Sequence, residues 1–274
     1  QTDFVCASAG NHAQGVAFAC RHFGVTGTIF MPVTTPQQKI DKTRAFGGDA
    51  VRIVLTGDYF DQTLAASQRF CTEKGAHFLS PFDDDDVIEG QASVAVEMLE
   101  QLGRAPDLVI LPVGGGGLSA GVTQFLRIEA PQTEFRFVEP VGGASLTAAL
   151  AAHEPVKLRT INSFVDGAAV ARLGDKTFAA LSWVRPEEVL LAPEDRICVT
   201  MLDMLNVEGI VLEPAGALSV GGYVQQMKNL AGTETRRVVG AGVGGAAPSW
   251  PQSPWIGHSS RSSASARIGV KRSS

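Results

Sequence analysis

The chain has 274 residues, 45% of them hydrophobic and 19% charged, with a formal net charge of −5. That length and balance suit one large or two ordinary soluble domains, and the acidic balance gives no footing for nucleic acid or an anionic membrane. No apolar run approaches the ~18 residues of a membrane span, and Cys6, Cys20, Cys71 and Cys198 show neither a zinc pattern nor a disulfide framework. Reduced thiols in a cytoplasmic protein are the expectation.

Gln1-Thr2-Asp3 runs straight into an apolar strand, Phe4 to Ala7, with no initial methionine and no signal peptide, which suggests a chain without its beginning. Ser8 to His12 reads as a polar loop and Ala13 to Phe23 as a helix closed by Gly24. Thr28 to Met31 is a strand, Gln37 to Phe46 a helix, Ala50 to Leu55 a strand, and Tyr59 to Lys74 a helix ended by Gly75. Such β-α alternation implies a parallel sheet. Phe78 to Phe82 follows as a strand, then Asp83 to Asp86 before a helical run, Val87 to Leu102. Four adjacent aspartates invite a metal reading, but neighbouring side chains diverge, and a cap on the helix N-terminus is preferred.

Asp107 to Val113 is an apolar strand, followed by Gly114, Gly115, Gly116 and Gly117 and a helical stretch, Leu118 to Leu126. Strand, glycine loop, helix is a recipe for holding a phosphate, because glycine lets the backbone approach an anion and the free N–H groups of the helix start point at it. A Walker loop is excluded by Leu118-Ser119, where Lys-Ser or Lys-Thr is needed. The dinucleotide pattern G-x-G-x-x-A is met by Gly115, Gly117 and Ala120, with Glu139 closing the next apolar run, Phe135 to Val138, so an NAD-type oxidoreductase is a rival reading. A second match, Gly240 to Gly245, runs into Ala-Ala-Pro-Ser-Trp-Pro and cannot open a helix in the same way. Helices are expected at Ser145 to His153, Lys176 to Leu181, Asp195 to Asn206 and Glu213 to Lys228. Strands are expected at Val189 to Ala192 and Arg237 to Gly240.

After Gly240 the composition changes. Residues 241 to 274 hold nine serines, three prolines and four basic residues with no Asp or Glu, so the tail carries +4 and the rest −9. A disordered or aberrant tail is expected. A shifted reading frame near Gly240 would account for it, which the encoding DNA decides.

Ser8-Ala9-Gly10-Asn11-His12-Ala13-Gln14-Gly15 offers amides and hydroxyls to a carboxylate, although Ser8 or Asn11 as a plain helix cap explains it equally well. Together with Val113 to Leu118 it resembles the fold-type II pyridoxal-phosphate enzymes, and more narrowly the threonine dehydratases. Phe164 to Val170 and Leu212 to Ala217 are similar to that family too, and the likeness covers roughly residues 3 to 240. The resemblance implies an α/β fold of two open parallel-sheet domains of the tryptophan synthase β-like type, incomplete at the N-terminus. Residues 1–75 would be mostly the small domain and 76–240 the larger cofactor-binding domain.

The resemblance further implies pyridoxal 5'-phosphate as cofactor and deamination of L-threonine, or of serine, to a keto acid and ammonia by β-elimination of water, on the route to isoleucine. The family is usually oligomeric. Gly114, Gly115, Gly116, Gly117 and the N–H of Leu118 would hold the phosphate, and Asn11 would bond the pyridine ring's 3'-oxygen. Ser8, Gly10 and His12 would line the substrate carboxylate pocket, with Glu213 near the active-site wall. Related racemases and dehydratases place a divalent ion near a turn like Glu139-Pro140; here Ser145 stands where an acidic ligand is wanted, and no metal is expected.

Two departures matter. The family's Schiff-base lysine lies in a Ser-Tyr/Phe-Lys-x-Arg-Gly motif upstream of the Ser-Ala-Gly-Asn loop, and none of the seven lysines lies in such a motif. The family's Ser-Gly-Gly-Asn loop, which meets the pyridine nitrogen, is replaced by Ala241-Gly242-Val243-Gly244-Gly245. An inactive fragment that still binds the cofactor is therefore an open alternative.

Overall fold

Short apolar runs of the type Val-Cys-Ala and Ile-Phe-Met bury both faces only when helices cover a sheet on each side, and this is how the chain folds. The structure, a computed structural model, describes residues 3–229, 237–240, 255–258 and 268–269. Two compact units divide the chain, Gln1–Val87 and Ile88–Ser274.

In the first unit β1 (Asp3–Ala7), β2 (Thr26–Met31), β3 (Val51–Leu55) and β4 (His77–Phe78) form a parallel sheet in the order β3-β2-β1-β4. Helices α1 (Asn11–Phe23), α2 (Gln37–Gly47) and α3 (Phe60–Lys74) connect them. The period-two alternation of the strands sorts the core. Cys6, Ile29 and Met31 pack with Ala13, Val16, Ala17 and Cys20 of α1 and Ile40 of α2. Val5, Ala7 and Phe30 pack against Leu64, Ala66 and Phe70 of α3.

The expected strand Phe78 to Phe82 is only His77–Phe78, paired with Phe4 and Val5 of β1. Leu79 N–H still donates to Val5 O at 2.7 Å, but the chain then turns, with the Asp83 N–H on Ser80 Oγ at 3.0 Å. Asp84 Oδ1 accepts from the N–H groups of Asp86 and Val87, which places the aspartate run as a helix cap.

The single helix expected over Val87 to Leu102 is two, α4 (Asp85–Gln91) and α5 (Ser93–Leu102). The break lies where helix α6 (Gly117–Glu129) crosses. A Cβ on Gly121 of α6 would strike the Ile88 carbonyl and lie 2.9 Å from Ala92 N, so backbone meets backbone there.

The sheet of the second unit contains β5 (Leu108–Pro112), β6 (Glu134–Pro140), β7 (Val189–Ala192), β8 (Arg237–Gly240), β9 (Trp255–His258) and β10 (Ile268–Gly269), in the order β10-β9-β8-β5-β6-β7. Strands β8, β5, β6 and β7 are parallel; β9 and β10 add antiparallel at one edge. Helices α7 (Ser145–Ala152), α8 (Asp175–Leu181), α9 (Glu194–Glu208) and α10 (Pro214–Asn229) complete the unit. Val109, Leu111 and Phe137 face one core with α5 and α6, and Leu108, Ile110 and Val138 face the other with α9 and α10. Leu111 and Phe137 are fully buried, each contributing about 1.5–3 kcal/mol, so packing more than local propensity holds α6 at the end of β5. Apart from β9 and β10, the residues of the expected disordered tail, with Ala241 to Gly245 among them, lie outside the described residues.

Candidate functional site

Strand β5 is flanked by β6 and β8, and Val113 continues it with its N–H on Val138 O at 2.9 Å. From this fixed end the chain turns through Gly114, Gly115 and Gly116 into α6. Gly116 has φ +91, a left-handed conformation that side chains resist. Space is tight as well: a Cβ on Gly114 would lie 2.9 Å from Ala168 Cα, and one on Gly116 would lie 3.0 Å from Thr177 Cβ.

Every carbonyl of the loop ahead of the helix has a donor. Ser145 Oγ donates to Gly114 O at 3.2 Å, Thr177 Oγ1 to Gly115 O at 2.8 Å, and Ala120 N–H to Gly116 O at 2.8 Å. The amides do the opposite. Among the described residues no acceptor meets the N–H of Gly114, Gly115, Gly116, Gly117 or Leu118. A run of unengaged N–H groups at a helix start is able to receive an anion.

Motifs far apart in sequence meet at this loop. Gly114 touches the Gly167–Ala168 backbone, and a Cβ on Gly167 would lie 2.9 Å from Ala215 Cβ at the start of α10. Glu213 is partly buried, and its carbonyl accepts from Ala217 N–H at 3.1 Å. Thr177 and Ser145, both fully buried, are the residues that sequence reasoning missed in this role. Neither lies near the glycines in sequence, and no local pattern marks either of them.

Glu139, next to last in β6, is fully buried, and its carboxylate is committed to α7. Oε1 accepts from Leu146 N–H at 2.6 Å; Oε2 accepts from Thr147 N–H at 2.9 Å and from Thr147 Oγ1 at 2.7 Å. Burial pushes the Glu139 carboxyl above the usual carboxylate range, and these hydrogen bonds, with one from the Ser145 side chain, oppose it in part. An acid so enclosed has no face to offer a ribose, so the dinucleotide reading loses the residue it needs.

In the first unit, Ser8 to His12 follow β1. Ser8 N–H continues the ladder onto Phe30 O at 3.0 Å, and Ser8 Oγ accepts from Gly10 N–H at 3.2 Å. Helix α1 begins at Asn11, two residues before the expected start, and no side chain caps it. Asn11 and His12 therefore stand in its first turn, and the plain-cap reading of Ser8 or Asn11 does not apply. His12 Nε2 lies 3.2 Å from Leu79 O. A carbonyl only accepts, so the proton sits on Nε2 and Nδ1 is the open acceptor of the neutral ring. Burial lowers the His12 pKa from its usual value, against the opposing effects of that bond and of Asp84.

Of the lysines whose side chains are described, Lys42, Lys74, Lys157 and Lys176 are exposed and Lys39 is partly buried on α2. The Cys6 thiol is pushed up to about 12 by burial, with Cys20 adding to it. Cys6, Cys20, Cys71 and Cys198 are all free. Among the described residues no helix is long and apolar enough to cross a membrane.

The family model for "Pyridoxal-phosphate dependent enzyme" matches residues 1–241. The chain belongs to the family of pyridoxal-phosphate dependent enzymes. It is 45% identical over 227 residues to a biosynthetic L-threonine dehydratase of Bacillus subtilis, covering 82% of this chain and 54% of that one. It is 48% identical over 223 residues to a Mycobacterium tuberculosis protein of the same name, covering 81% and 52%. The chain thus spans about half the length of these curated relatives. Among solved structures, threonine deaminase isoform 2 of Solanum lycopersicum superposes with a TM-score of 0.80 at 37% identity, covering 90% of this chain and 70% of that one. The α/β fold with parallel sheets expected of fold-type II is the one observed.

Proposed function

We propose that this chain holds pyridoxal 5'-phosphate through the N–H groups of Gly114, Gly115, Gly116, Gly117 and Leu118, and binds L-threonine for deamination to 2-oxobutanoate and ammonia without itself supplying the lysine that removes the Cα proton. The observation that supports the phosphate assignment is the loop itself: three engaged carbonyls and, among the described residues, no engaged amide. The absent Cβ atoms at Gly114 and Gly116 fit a group that the backbone must approach closely. The threonine assignment is supported by relatives named threonine dehydratase and threonine deaminase.

When bound, the cofactor supplies an electron sink for a carbanion at the amino acid Cα. The chain's own residues bind and orient. The positive end of α6 and the loop amides take the phosphate charge. Asn11 is assigned to the ring 3'-oxygen. Ser8 Oγ already accepts from Gly10, so its hydroxyl hydrogen remains for the substrate carboxylate. His12 contributes its backbone N–H rather than its ring, because the ring donor is committed to Leu79. Removal of the Cα proton is assigned to none of the seven lysines, since none lies in the family's motif.

The test has two readouts on the purified chain. Titration with pyridoxal phosphate is expected to show saturable binding that inorganic phosphate competes away. With L-threonine added, the loaded chain is expected to melt at higher temperature, to be unmoved by D-threonine, and to release no 2-oxobutanoate above a blank. A chain that ignores the cofactor contradicts the phosphate assignment. Loss of the stereochemical preference contradicts the substrate assignment, and release of product contradicts the exclusion of the lysines.

A further inference from the structure

In a planar trans peptide the C=O of one residue and the N–H of the next point in opposite directions. Fixing a carbonyl therefore aims the following amide. In the glycine loop three successive carbonyls are fixed: Gly114 O by Ser145 Oγ, Gly115 O by Thr177 Oγ1 and Gly116 O by Ala120 N–H. The third is ordinary helix closure. The first two depend on side chains from separate helices, α7 and α8.

The rest of the surroundings holds those two hydroxyls in place. Thr177 is fully buried, with O of Gly174, the residue before α8, as its alternative acceptor at 3.2 Å. Ser145 is the first residue of α7; its hydroxyl, which donates to Gly114 O, also lies within reach of the Glu139 carboxylate, and Glu139 grips the next two residues of that helix through Leu146 N–H, Thr147 N–H and Thr147 Oγ1. Glycine peptides flip between orientations more readily than any others. A glycine loop without such pins would have to be ordered by the ligand, at the expense of affinity.

We propose that Ser145 and Thr177 are positioning residues for the phosphate: each hydroxyl holds a loop carbonyl so that the N–H groups of Gly115 and Gly116 are aimed before the cofactor arrives. This rests on the reading of Gly114 to Leu118 as the phosphate loop. Neither side chain needs to touch the ligand.

The experiment compares two ligands that differ only in the group concerned, pyridoxal phosphate and pyridoxal, on the whole chain. The readout is the ratio of their dissociation constants. Ser145→Ala and Thr177→Val are each expected to weaken pyridoxal phosphate about fivefold, the size of one ordinary hydrogen bond, and to leave pyridoxal unchanged. Thr177→Ser, which keeps the hydroxyl, is expected to retain the wild-type ratio. Thr147→Val removes one bond to Glu139 and is expected to lower the melting temperature without moving the ratio. If Thr177→Val does not fold, Ser145→Ala carries the comparison. A wild-type chain with no preference for the phosphorylated ligand overturns the phosphate reading itself. A wild-type preference that survives undiminished in the hydroxyl-free variants overturns this proposal and leaves that reading standing.

Discussion

Thr177 Oγ1 donates to the Gly115 carbonyl at 2.8 Å, across 62 residues of sequence. The bond ties α8 to the loop between β5 and α6, so the glycines are held from outside their own βα unit.

Gly114→Ala places a Cβ 2.9 Å from Ala168 Cα, and backbone cannot step aside as a side-chain tip can. Forced overpacking of this kind costs roughly 1–3 kcal/mol, so the expected outcome is a fall in melting temperature with at least tenfold weaker pyridoxal phosphate binding. Calorimetry and a cofactor titration check the two together.

Gly121 and Gly90 should respond with opposite signs. Gly121→Ala drives a Cβ into the Ile88 carbonyl at the junction of α4 and α5, and a destabilisation of about 1–3 kcal/mol is expected. Gly90 lies in α4 with nothing within 4 Å of its would-be Cβ, so Gly90→Ala should stabilise by about 0.5–1 kcal/mol. Denaturant midpoints at equal slope measure both.

Glu139 gives a pH signature. Its folded pKa is raised by burial above the ordinary value of 4.5, so the folded chain binds that proton more tightly than the unfolded chain. The stability from this linkage is complete below the ordinary value and is lost as pH rises through the raised one. Glu139→Gln cannot titrate. The stability of the wild type relative to that variant should therefore be greater near pH 4.5 than near pH 8, and a reversed slope would refute the assignment.

His12 titrates with the opposite sign. Burial lowers its folded pKa below 6.5, so stability from the neutral ring is present above 6.5 and lost as pH falls through the lowered value. His12→Gln keeps an N–H donor for Leu79 O and removes the titration. The wild type should lose more stability than this variant between about pH 7 and pH 5, read as the difference in melting temperatures.

The sequence carries the backbone plan of this chain because local chemistry writes it. Apolar runs end in polar or glycine turns, and the Gly114–Gly117 run after an apolar strand reads as a candidate anion loop from its residues alone. Glu139 is different. As an acid closing the next strand after G-x-G-x-x-A it fits a dinucleotide site as well as a helix seat, and only its bonds to Leu146 and Thr147 decide between them. The roles of Ser145 and Thr177 are purely tertiary, set by which carbonyl each hydroxyl meets. The break between α4 and α5 is tertiary too, since it answers to Gly121 on another helix. At Asn11 the polar look of Ser8 to His12 masks a helix that has already begun.

The most direct test is phosphorus NMR of pyridoxal phosphate mixed with the purified chain, repeated with Gly114→Ala. Expected is a bound resonance that stops following the bulk pH, returns to the free position when excess inorganic phosphate is added, and is absent with the variant. A resonance that tracks the bulk pH in the presence of the folded wild-type chain, or a bound resonance unaltered in Gly114→Ala, would contradict the assignment of the Gly114–Leu118 amides to the cofactor phosphate.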